Sequence, residues 1–153
     1  MIEPGSSAPD FSLPDQDGNR VSLSDMRGET VVLVFYPADF SRVCTDQLSV
    51  YQEVLPQLEE AGAELVGISV DGAFCHKAFQ EQQGLTIPLL ADFHPKGEIA
   101  KGYGVYSEEY GVAGRALVMV GPDGVVQWSY LSPPLEVPGA NLIFDALEQR
   151  TPA

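Results

Sequence analysis

Two hydrophobic rhythms run along this chain, and the switches between them mark its elements. In "DFSLPDQDGNRVSLSDM" (10–26) apolar and polar positions alternate on both sides of Asp17-Gly18, which predicts a β-hairpin. "TVVLVFYP" (30–37) is an unbroken run between Gly28 and Pro37, the pattern of a central strand buried on both faces. From Cys44 to about Ala61 the period lengthens. Leu48, Tyr51, Leu55 and Leu58 recur at three- and four-residue spacing and predict a helix that Pro56 kinks or breaks. "ELVGISVD" (64–71) reads as a second buried strand, making a right-handed βαβ unit with the first. A short helix from Ala73 to Gln83 follows, then a strand in "TIPLLAD" and a short helix in "HPKGEIAKGYGV". "ALVMVGPDGVVQWSYL" predicts a second hairpin around Gly-Pro-Asp-Gly, and "GANLIFDALEQ" a last amphipathic helix. The order implies an α/β sandwich, with a mixed sheet and helices on both faces, in one domain spanning 1–153.

Composition adds boundaries rather than detail. No apolar run approaches the roughly 20 residues needed to span a bilayer, and the first residues lack the pattern of a signal peptide. The expected location is the cytoplasm, with no membrane partner. Eight Lys and Arg against 22 Asp and Glu give a formal charge of -14, which repels phosphate backbones and argues against nucleic acid. The same acidity raises thiol pKa values unless local positive potential opposes it. The chain has only two cysteines, no C-x-x-C and no disulfide framework. In a reducing compartment such cysteines stay reduced unless they are catalytic or redox-sensing.

Cys44 falls after the first buried strand, beyond the loop "ADFSRV", in the first turn of the next helix. A helix start favours an anion, and the carboxyl ends of strands in an α/β sheet collect functional groups. Free cysteine is also among the most buried residue types, and most such residues are inert. Position alone leaves both readings open.

The neighbours tip the balance. Pro37, Ser41 and Cys44 read P-x-x-x-S-x-x-C at a strand end, which resembles the signature of the peroxiredoxins. The resemblance extends through "APDFSLPDQDGNRVSLSD", "VVLVFYPADFSRVC", "ISVDGAFCHKAF", "IPLLAD" and "GVAGRALVMVGPDGVV", and is nearest to the one-cysteine alkyl hydroperoxide reductase E type. It implies a thioredoxin fold in its peroxiredoxin variant and a thiol peroxidase with no cofactor or metal. On this resemblance Cys44 is the peroxidatic cysteine and Ser41 supplies a hydroxyl to the peroxide. Pro37 shields the sulfur, and Arg115 is the late active-site arginine. The implied partners are a peroxide, an external thiol reductant (thioredoxin, a glutaredoxin-like protein or a low-molecular-weight thiol) and a second copy in a homodimer. A preorganised cation suits this chemistry, because negative charge develops on the leaving oxygen as the thiolate attacks.

One residue departs from the pattern. Where the family commonly places Glu three residues after the cysteine, this chain has Gln47, which can accept a hydrogen bond but brings no charge. Arg42 is expected to face solvent. Cys75, near the start of the 73–83 helix, is either a structural residue or the thiol that resolves oxidised Cys44. His76, beside it, is expected to be a solvated helix residue. Neither His76 nor His94 sits at zinc-site spacing, although pairing with Cys44 in an acyl-transfer enzyme stays open. A non-catalytic peroxide sensor or redox interaction module is the alternative function.

Overall fold

The computed structural model describes residues 1–150. At its N-terminus β1 (Ser12–Pro14) and β2 (Arg20–Ser22) pair antiparallel, with Leu13 opposite Val21. Asp15 closes their turn, its Oδ1 accepting from the N–H groups of Asp17 and Asn19, while Gly18 takes a positive φ of 82°. A 3-10 turn (Leu23–Met26) leads to β3 (Thr30–Phe35), all six residues of which are buried.

The chain continues through α1 (Arg42–Glu53), α2 (Leu55–Glu60), β4 (Ala63–Ser69), α3 (Ala73–Gln83), β5 (Leu89–Ala91) and α4 (Glu98–Gly102). Then come β6 (Tyr106–Ser107), β7 (Val112–Ala113), β8 (Ala116–Val120), β9 (Val126–Leu131) and α5 (Ala140–Gln149). Five strands form one mixed sheet in the order β5-β4-β3-β8-β9. β3, β4 and β5 run parallel to one another, and β8 is antiparallel to both β3 and β9. The small β6–β7 pair was not foreseen: two-residue strands are too short to show a period of two.

The predicted break in the long helical segment is present. Val54 leaves helical geometry (φ -104°, ψ 12°), and Pro56 falls near the start of α2, where a missing N–H is tolerated. Alternation along β3 divides the core in two. Val32, Val34 and Tyr36 pack with Leu48 and Tyr51 of α1, Phe79 of α3 and Ile143 of α5. Val31, Leu33 and Phe35 face the other way, against Phe11, Leu23, Ala100 of α4 and Tyr103. Each fully buried Leu, Ile or Phe in these layers contributes roughly 2 kcal/mol of apolar transfer energy. The sheet is therefore covered on both faces, and the strand ends that launch α1 and α3 lie side by side.

Candidate active site

The loop after β3 turns sharply. Phe40 adopts a left-handed φ of 67°, and the next residue, Ser41, returns to an extended conformation as the N-cap of α1. Its Oγ accepts a hydrogen bond from the Cys44 N–H at 3.3 Å, while the Thr45 hydroxyl donates to the Ser41 carbonyl at 2.7 Å. Cys44 is thus the third residue of α1, within the turn whose free N–H groups and dipole favour an anion.

Sheet register brings the cation. Phe35, the last residue of β3, pairs with Ala116, the first of β8, so Arg115 stands at the same strand end as Cys44 although 71 residues separate them. Its Nη1 lies 3.3 Å from Cys44 Sγ and donates to Gln47 Oε1 at 2.8 Å, and its Nε donates to the Pro134 carbonyl at 3.0 Å. Cys44 and Gln47 have no exposed surface, and Arg115 is 3% exposed.

Gln47 orients the guanidinium. Arginine can only donate, which fixes the amide oxygen of Gln47 toward it and turns the amide nitrogen to Tyr51 Oη at 3.1 Å. Tyr51 in turn donates to the Pro138 carbonyl at 2.6 Å. Burial pushes the Tyr51 phenol up to about 12, with the Gln47 hydrogen bond and the Arg115 charge opposing, so it stays a neutral donor. No carboxylate pairs with Arg115 among the described residues. Its guanidinium is directed instead at the Cys44 sulfur.

Pro37, Ser41 and Arg115 line an open groove of about 1150 Å³ whose other walls are largely apolar, among them Val43, Tyr110, Leu131 and Leu135. Cys44 lies behind these residues rather than on the surface, so access to the sulfur is more restricted than its place at a helix start implies. Arg42 is exposed at the rim, as expected.

The chain matches the model of the AhpC/TSA family over residues 4–129. It is 37% identical to alkyl hydroperoxide reductase E of Mycobacterium tuberculosis, over 99% of both chains. The chain belongs to the AhpC/TSA family, the peroxiredoxins. It is also 42% identical to the chloroplastic peroxiredoxin Q of Triticum aestivum, over 84% of this chain and 59% of the plant protein. Among solved structures, peroxidoxin BcpB of Mycobacterium tuberculosis superposes with a TM-score of 0.89 and 28% identity, covering 99% of this chain and all of that one. AhpC of Enterococcus faecalis gives 0.88 and 32%, covering 97% and 92%.

In this peroxiredoxin the second cysteine has a different setting. Cys75 is half-buried in the first turn of α3, and its sulfur lies within 4.8 Å of carboxylate oxygens of Asp39 and Asp71. Burial, then the negative charge of those two carboxylates, pushes its thiol up to about 11. His76 corrects the sequence expectation. It is fully buried on the face of α3 that carries Phe79, with Nδ1 2.7 Å from Asp39 Oδ2 and Nε2 3.0 Å from the Leu90 carbonyl. Three-residue spacing to Phe79 was the available signal. Polarity outweighs it in sequence because the partner, Asp39, lies 37 residues away. His94 is exposed. Neither histidine touches Cys44, so the acyl-transfer pairing is not assembled.

Proposed function

We propose that the protein is a thiol-dependent peroxidase that reduces hydrogen peroxide or organic hydroperoxides through Cys44, in antioxidant defence. The observation that carries the reading is Arg115 Nη1 at 3.3 Å from the sulfur of a helix-start cysteine. The Cys44 thiolate attacks one peroxide oxygen; the S–O bond forms as the O–O bond breaks. The departing alkoxide or hydroxide takes a proton and leaves as alcohol or water, and Cys44 becomes a sulfenic acid. Arg115, fixed by Gln47 and Pro134, supplies donors to the sulfur and to the oxygen that gains charge. The Ser41 hydroxyl, whose oxygen already caps the Cys44 amide, has its proton free for the peroxide. Pro37 shields the sulfur on the groove side.

Reduction comes from outside the chain. An external thiol attacks the sulfenic sulfur and releases water; a second thiol then frees Cys44 and leaves with the first as a disulfide. The high pKa of Cys75 supports this one-cysteine route. At pH 7 only about one part in ten thousand of a thiol near 11 is the attacking thiolate. The exposed Leu131, Leu135 and Tyr110 about the groove supply apolar surface for a homodimer, and two free thiols suit a reducing cytoplasm.

Steady-state turnover with a peroxide and a dithiol tests the reading. The protein consumes many equivalents of peroxide and Cys44→Ser consumes none. A single equivalent followed by arrest means a sensor, and a Cys44–Cys75 cross-link on peptide mapping would sink the external-thiol route.

A further inference from the structure

The loop that carries the site contains a buried carboxylate for which the peroxidase step has no use. Asp39 lies between Pro37 and Ser41, and its side chain has no exposed surface. Its Oδ1 accepts from the Tyr36 hydroxyl at 2.6 Å, and its Oδ2 lies 2.7 Å from His76 Nδ1, which is also 3.4 Å from the Tyr36 oxygen. Its backbone N–H donates to Asp71 Oδ2 at 2.8 Å, and that oxygen also accepts from the Ser69 hydroxyl at 2.7 Å. His76 is held in turn by the Leu90 carbonyl. One loop residue is therefore tied to the carboxyl ends of β3, β4 and β5 and to the first turn of α3.

The proton count follows from the partners. The Leu90 carbonyl can only accept, so Nε2 carries a proton; a 2.7 Å contact between Nδ1 and Oδ2 needs a second proton between them, whichever atom holds it. A buried carboxylate stripped of those partners would leave this position.

Next to this anchor the backbone is strained. Phe40 is the only non-glycine residue with positive φ among the described residues, and its ring reaches out to stand edge-on to Phe79, 5.1 Å between centroids. Such a conformation persists only where its surroundings over-determine it. On one side of Phe40 stands the Asp39 anchor. On the other stands Ser41, whose Oγ caps Cys44.

We infer that Asp39 and His76 are positioning residues of this peroxidase. They clamp the loop so that Phe40 holds its left-handed turn, which aims Ser41 at the first turn of α1 and sets Cys44 against Arg115. The inference rests on the peroxidase reading above. Neither residue touches the sulfur; both act through the backbone of residues 39–41. What the clamp requires of position 39 is an acceptor for Tyr36 and a hydrogen bond to His76, not a charge. Asparagine meets both needs, since its amide donates to an unprotonated Nδ1 and its oxygen accepts from Tyr36.

The experiment is stopped-flow oxidation of Cys44 by hydrogen peroxide in the full chain, compared for wild type, Asp39→Asn and Asp39→Ala, each shown folded by near-ultraviolet circular dichroism. A loss of alignment of this kind costs about tenfold to a hundredfold in rate. Asp39→Ala is expected to lose at least about tenfold and Asp39→Asn to recover most of it, a rescue that general destabilisation does not produce. A smaller loss in folded Asp39→Ala, or Asp39→Asn as slow as Asp39→Ala, overturns the inference. Should Asp39→Ala not fold, His76→Asn takes its place against the same threshold. Wild type is the control: if it fails to react at Cys44, the peroxidase reading falls and takes the clamp with it. If wild type reacts and the variants match it, only the clamp falls.

Discussion

Cys44 and Cys75 occupy equivalent places in successive units of the fold. Each is the third residue of a helix that follows a buried strand, α1 after β3 and α3 after β4, and the two strands are parallel neighbours. Helix dipole and unpaired N–H groups favour an anion equally at both. What differs is the residue across from the sulfur. Cys44 faces the guanidinium of Arg115, with neutral Gln47 on its far side; Cys75 faces Asp39 and Asp71. A helix start therefore does not by itself make a reactive thiol in a protein of charge -14. Arg115, the one buried Lys or Arg among the described residues, is delivered by the β3–β8 register and separates the two.

The comparison breaks most completely if the cation is removed. Arg115→Ala should slow oxidation of Cys44 by peroxide about a hundredfold to a thousandfold, the usual cost of losing one oriented donor to developing charge. Arg115→Lys keeps the charge without the planar fork and should fall between that variant and wild type. Stopped-flow kinetics of both decide it, and an unchanged rate in Arg115→Ala removes the basis for setting Cys44 apart.

A smaller effect sharpens the other side. In the Cys44→Ser protein, alkylation of Cys75 by iodoacetamide should climb about tenfold per pH unit from 7 and level off only near 11, since the thiolate is scarce below its pKa. Asp71→Asn removes one of the two negative charges, which favours the thiolate and lowers that pKa. Labelling at pH 8 should rise by up to about tenfold, while the amide oxygen still accepts from Ser69. No rise means that burial alone keeps Cys75 inert.

Local features of this site were legible in sequence. Pro37, Ser41, Cys44 and Gln47 lie within one loop and one helical turn, so their spacing carries their geometry. The run from Thr30 to Phe35 announced the central strand because every residue in it is buried. Arg115 was placed only through family resemblance, since nothing in an isolated stretch of sequence says which strand end an arginine will reach. The Asp39–His76 pair escaped for the same reason: its members are 37 residues apart, and each alone looks like an ordinary solvated polar residue. The relay from Gln47 through Tyr51 to Pro138 was hidden too, because Tyr51 already fitted the helix's apolar stripe.

The most direct test compares two single-cysteine proteins, Cys75→Ser and Cys44→Ser, by mass spectrometry of thiol loss under the same hydrogen peroxide at pH 7.5. The account predicts that Cys44 reacts at least about a thousandfold faster than Cys75, because the Cys75 thiolate is scarce and only Cys44 has the donors of Arg115. Rates within tenfold of each other would contradict it.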